Sequence, residues 1–158
     1  MATQTVYNRI GSKRDLLVAL QEVIEEAGEV GEVQRRIAES DDPREIVAAV
    51  ARLRRLMMEG AGDIISFIYA AASDADVGVA YAASQARSRA GIARFTARLA
   101  SLGALRGDLD ADKATDVAYA ILHHAIWTRL VDECAWSADD AERWYTDVLA
   151  RVLLAADR

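Results

Sequence analysis

One proline in 158 residues, Pro43, set among apolar residues that recur every three or four positions, is what most limits this chain to one class of fold. Hydrophobic residues make up 53% of the chain and alanine is abundant, so long stretches can stay helical without interruption. An all-α fold is predicted. At this length a single body, with or without a small appendage, buries a sizeable core without disulfides or metals.

Helix starts and stops follow from capping chemistry. Ser12, with Asp15 three residues on, predicts a helix start, and Leu16, Leu17, Leu20, Val23, Ile24 and Ala27 give it one apolar stripe. Val30, Val33 and Ile37 prolong it to about Glu39 despite Gly28 and Gly31. Asp42 as cap, Pro43 in the first turn and Glu45 predict a second helix to about Glu59, with Ile46, Val47, Val50, Leu53, Leu56 and Met57 inward and Arg44, Arg52 and Arg55 toward solvent. Gly60 and Gly62 predict a break before an apolar segment, Ile64 to Ala72, buried on several sides. Asp74 and Asp76 offer caps for a long helix to about Leu102, and the stretch from Leu102 to Asp110 reads as a loop. Two closing helices, about Asp110 to Cys134 and Ser137 to Ala156, form a hairpin around Ala135 and Trp136.

The net charge of −6 and pI near 4.9 argue against wholesale coating of nucleic acid. Residues 1–14 depart from that average, carrying Arg9, Lys13 and Arg14 and no acid. The lone Cys134 cannot close an intramolecular disulfide, no signal-peptide pattern opens the chain, and no uncharged apolar run approaches the ~18 residues of a membrane span. A cytoplasmic location without a membrane partner is expected.

The opening segment holds a Thr-x-Tyr pair at Thr5 and Tyr7, a turn closing on Ser12 and Lys13, and a helix beginning with Leu16 and Leu17. This arrangement resembles the end of the helix-turn-helix in the TetR family of ligand-responsive transcription regulators. It covers about 17 residues, and Ile10 stands where that family usually has Phe. The resemblance implies a TetR-like helical bundle with a C-terminal two-helix dimerisation hairpin. Residues 1–27 would be the remnant of a DNA-binding domain with its linking helix, and 28–158 a ligand-binding and dimerisation domain. By the same resemblance Thr3, Gln4 and Thr5 approach base edges or nearby phosphates, and Tyr7, Arg9 and Lys13 hold phosphates. Most of the three-helix reading head would lie upstream, so operator DNA is a partner of the complete protein and binds this chain weakly or not at all.

The family's body encloses an effector cavity and pairs with a second copy through its last two helices. For the cavity the candidates are Met57, Met58, Phe67, Tyr69, Tyr81, Phe95, His123 and Trp127, which join deformable or aromatic surface to a few polar tips and suit a small apolar or aromatic effector. For the homodimer the candidates are Ile121, Ala125, Trp144, Val148 and Val152. On one continuous helix His123 and His124 point about 100° apart, so they do not chelate a metal together; one belongs to pocket or core and the other to interface or surface. With one cysteine, two histidines and no recognisable nucleophile, base and orienting partner, neither catalysis nor a cofactor is expected. The resulting reading is a dimeric, effector-binding TetR-type regulator, a repressor by family habit. The alternative is a dimeric small-molecule-binding protein without DNA-binding activity.

Overall fold

The computed structural model describes residues 28–70 and 75–156, which fold as an all-α bundle. Its elements are α1 (Gly28–Glu39), α2 (Pro43–Ala70), α3 (Ala75–Ser101), α4 (Ala111–Ile121), the short α5 (His124–Thr128) running into a π turn at Arg129–Glu133, and α6 (Ala138–Leu153). No strand forms among the described residues, although Leu105 and Leu154 make one isolated antiparallel bridge. None of the described helices is long and apolar enough to cross a membrane. The DNA-contact candidates Thr3, Gln4, Thr5, Tyr7, Arg9 and Lys13, the linking helix up to Ala27 and the Asp74 cap lie outside the described residues.

Three helix starts follow the capping logic. Asp42 accepts from the Arg44 amide at 2.9 Å, Asp110 from the Lys113 amide at 2.8 Å, and Ser137 from the Asp140 amide at 3.1 Å. Each satisfies a backbone donor that the first helical turn leaves free.

The predicted break at Gly60 and Gly62 does not occur, and α2 runs unbroken for 28 residues. Each glycine costs about 1 kcal/mol relative to alanine in a helix. Ala61, Ile65 and Ile68 are buried on the same stripe, and full burial of an isoleucine gains about 1.5–3 kcal/mol, so packing outweighs propensity. Arg52 and Arg55 keep part of their side chains in solvent, as the spacing predicts, and are also engaged in ion pairs. Arg52 pairs with Glu29 of α1 at 2.6 Å and Glu142 of α6 at 3.4 Å, while Arg55 meets Glu59, Asp139 and Glu142, so a half-buried ionic cluster joins three helices.

Two apolar clusters form the core. Ile46, Val47 and Val50 of α2 pack with Phe95 and Leu99 of α3, Ala114 and Ala118 of α4, and Leu149 and Leu153 of α6. Farther along α2, Ala51, Met58, Ala61 and Ile65 pack with Trp127, Ala141 and Tyr145. Between α3 and α4 the buried hydroxyls of Thr96 and Thr115 lie 2.7 Å apart, and Thr115 donates to the Ala111 carbonyl at 2.7 Å. Helix α3 ends in a Schellman turn: the Gly103 amide donates to Ala100 at 2.9 Å and the Ala104 amide to Leu99 at 3.0 Å. Gly103 has φ of +65° there, and Ala135, after the π turn, has φ of +58°.

These two positions make an opposed pair. A Cβ at Gly103 would meet nothing within 4 Å, so Gly103→Ala should cost about 1 kcal/mol through backbone strain alone. Ala135→Gly relieves the same strain and should gain roughly 0.5–1 kcal/mol. Urea unfolding checks both, and a change of the same sign in the two variants would contradict the account.

Candidate functional site

The inward stripe of α2 runs Val47, Val50, Ala51, then Arg54, then Met58, Ala61, Ile65 and Ile68. An arginine thus occupies the position where helical spacing calls for an apolar residue. It falls between the two core clusters and lines a cavity of about 700 Å³. Gln34, Ile37 and Ala38 of α1 form one wall. Val50, Leu53, Arg54, Met57, Ile65 and Tyr69 of α2 form another, facing α3 from Ser84 to Ser101. Tyr119, Leu122, His123 and His124 close it from the α4–α5 junction. The volume falls within the ~300–1,000 Å³ range of small-molecule sites.

Nε and Nη2 of Arg54 are fully shielded from solvent and have no hydrogen-bond partner among the described residues. Burial lowers its pKa, opposed in part by the nearby hydroxyls of Tyr145 and Tyr69. The Tyr145 hydroxyl is itself buried without a partner, so proximity to Arg54 does not amount to a hydrogen bond of good geometry. A guanidinium stays protonated even so, because its intrinsic pKa is above about 12.

The expected single helix from Asp110 to Cys134 is broken, and the break builds the rest of the site. His123 has extended backbone, with φ −62° and ψ 139°, and its Nδ1 accepts from the Ala125 amide at 3.3 Å, capping α5. That bond leaves the other ring nitrogen, Nε2, carrying the proton as a donor. Because the helical path stops between them, His123 and His124 both line the cavity, with ring centroids 5.0 Å apart, instead of dividing between pocket and interface. Tyr69 is the hub of this wall. Its ring lies 3.5 Å from that of His124, and 5.1 Å, edge-on, from those of His123 and Tyr81. Its hydroxyl donates to Gln85 Oε1 at 2.8 Å, and Gln85 Nε2 donates to the Tyr81 hydroxyl at 2.9 Å.

Burial holds both imidazoles below their ordinary pKa, with the Arg54 charge acting in the same direction. His124 is pushed down to about 4, by burial first and then by His123 and Arg54. Its Nδ1 is shielded and unpartnered. Burial also raises the Tyr69 hydroxyl. At neutral pH the wall therefore offers neutral imidazoles and phenols around one fixed positive charge. Among the described residues no group of three or more His, Cys, Asp or Glu gathers as a metal ion would need.

Of the residues singled out from the sequence, Met57, Tyr69, Phe95 and His123 line the cavity. Met58 and Trp127 instead fill the second core cluster, where the Trp127 ring stacks on Tyr145 at 6.1 Å. Tyr81 stands behind the lining, against the Tyr69 ring and Gln85, and Phe67 is half-buried away from the lining. Arg54, Gln85 and His124 were not among the candidates. For Arg54 the signal was present: it is the one charged residue on the stripe that Val47, Val50, Met58 and Ile65 define. Among the dimer candidates, Trp144, Val148 and Val152 are half-buried at four-residue spacing on α6, Ile121 is half-buried against both clusters, and Ala125 is exposed.

Comparison of the chain with family models, with curated proteins and with solved structures gives no match.

The low pKa of His124 has a measurable sign. As pH falls through the ordinary value of 6.5, the unfolded chain binds a proton at this residue that the fold refuses until about 4. His124 therefore removes stability progressively across that window and adds no further loss below it. In thermal melts between pH 7.5 and 4.5, His124→Gln should lose less stability than the parent chain; parallel losses would contradict the assignment.

Proposed function

We propose that this chain is the effector-binding and dimerising body of a TetR-type transcription regulator, acting as a repressor in the cytoplasm. The observation that carries this reading is that α1, the first described helix after the segment resembling a helix-turn-helix, supplies one wall of the cavity through Gln34, Ile37 and Ala38. An occupant of the cavity touches the element through which a DNA-reading head would be held. Ligand binding changes DNA affinity only where the ligand prefers one of two arrangements of that head, and couplings of this kind are worth about 1–3 kcal/mol, or roughly 5–150-fold in affinity.

The half-exposed stripe Trp144, Val148 and Val152 supports pairing of two copies about a two-fold axis, with Ile121 and Ala125 as further candidates for that surface. Trp144 is preset for this role, since its ring is braced edge-on against buried Tyr145 at 5.1 Å. The partners in this reading are a second copy, an apolar or aromatic effector, and operator DNA for the complete protein.

Two measurements test the reading. Sedimentation should give twice the 17.2 kDa chain mass, and Val148→Glu should shift it toward the monomer with helicity retained. Anisotropy binding to the intergenic DNA beside the gene should be tight and salt-dependent for a version carrying a complete helix-turn-helix head ahead of residue 1, and weak for this chain. Equal weak binding by both versions would reject the operator function.

A further inference from the structure

The described residues lining the cavity include four arginines, Arg54, Arg87, Arg94 and Arg98, and no aspartate or glutamate. The chain as a whole has the opposite balance, with 25 acidic against 19 basic residues. Arg98 is already engaged, donating to the Ser40 carbonyl at 3.1 Å and to Asp41. Arg87 and Arg94 are exposed. Arg54 is the exception, a half-buried guanidinium with two nitrogens shielded from solvent and no acceptor for either among the described residues. Leaving a buried charge uncompensated is among the most destabilising arrangements a core can hold, and an apolar residue there would avoid it.

We propose that the cavity takes an amphipathic monoanion, a carboxylate on an apolar body, with the carboxylate held by the Arg54 guanidinium beside the imidazoles of His123 and His124. This deepens the effector-binding reading and rests on it. A planar carboxylate matches the guanidinium fork and supplies the acceptors that Arg54 lacks. The imidazoles are neutral at pH 7, so His123 contributes a donor and no second charge. One buried cation balances one negative charge, whereas a phosphate dianion would leave an excess inside the bundle. The remaining wall, with Val50, Leu53, Met57, Ile65, Ile92 and Phe95, suits an alkyl or aryl body. The exposed arginines add a field that favours arrival of an anion despite the net negative charge of the chain.

Displacement of the neutral fluorophore N-phenyl-1-naphthylamine from the full chain at pH 7.5 tests this, with decanoate and decanol as competitors of equal chain length. Decanoate should displace it at a concentration at least roughly 10-fold lower than decanol does, a reversal of their hydrophobic order that needs a charge-assisted contact. Arg54→Met should abolish that preference and raise the thermal midpoint of the unliganded chain by a few degrees. Arg54→Lys, which keeps charge without the fork, should retain an intermediate preference. Should Arg54→Met fail to fold, the competitor ratio on the parent chain and on Arg54→Lys still decides the matter. Equal displacement, or stronger displacement by decanol, would overturn the anion proposal while leaving an effector cavity in place. No fluorophore binding, with no thermal shift from either competitor, would overturn both.

Discussion

A helix of 28 residues has to serve two cores at once, and most of this fold follows from how α2 does so. Its first half closes one apolar cluster with α3, α4 and α6, and its second half closes another around Trp127 and Tyr145. Where the two meet, the inward residue is Arg54, whose Nε and Nη2 find no hydrogen-bond partner among the described residues. The consequence is a gap between cores. A charged side chain that packing would exclude is what keeps the centre of the bundle open.

Much of the architecture was legible in the sequence because caps and apolar spacing act locally. Asp42, Asp110 and Ser137 bind the amides their positions suggest, and Glu39, Ser101 and Leu153 end helices within a few residues of where periodicity lapses. The continuity of α2 was not legible, since helix propensity at Gly60 and Gly62 is a local quantity and the burial of Ile65 and Ile68 against other helices is not. For the same reason Met58 and Trp127, chosen for their chemistry, belong to the core: residue type does not reveal which side of an inward face meets protein and which meets a cavity.

The junction at His123 shows where local reading runs out. Nothing between Asp110 and Cys134 carries the usual punctuation of glycine or proline, and a histidine that caps a helix through Nδ1 leaves little trace in composition. Yet that single cap turns the chain so that two adjacent imidazoles share one wall with Tyr69. The half-buried histidines, the Tyr69–Gln85–Tyr81 relay and the shielded guanidinium are then parts of one polar end of the cavity. The shielded, unpartnered groups at this end are also those that the proposed ligand would meet, a common trade where binding requires groups that folding would leave out.

The most direct test of the proposed carboxylate contact at Arg54 is the arginine Nε–Hε region of a proton–nitrogen correlation spectrum, with the Arg54 signal identified by its loss in Arg54→Met. On addition of decanoate that signal should shift and its exchange with solvent should slow, while those of Arg87 and Arg94 move little. A spectrum in which the Arg54 signal stays fixed through saturating decanoate, or in which only the exposed arginines respond, would contradict the account.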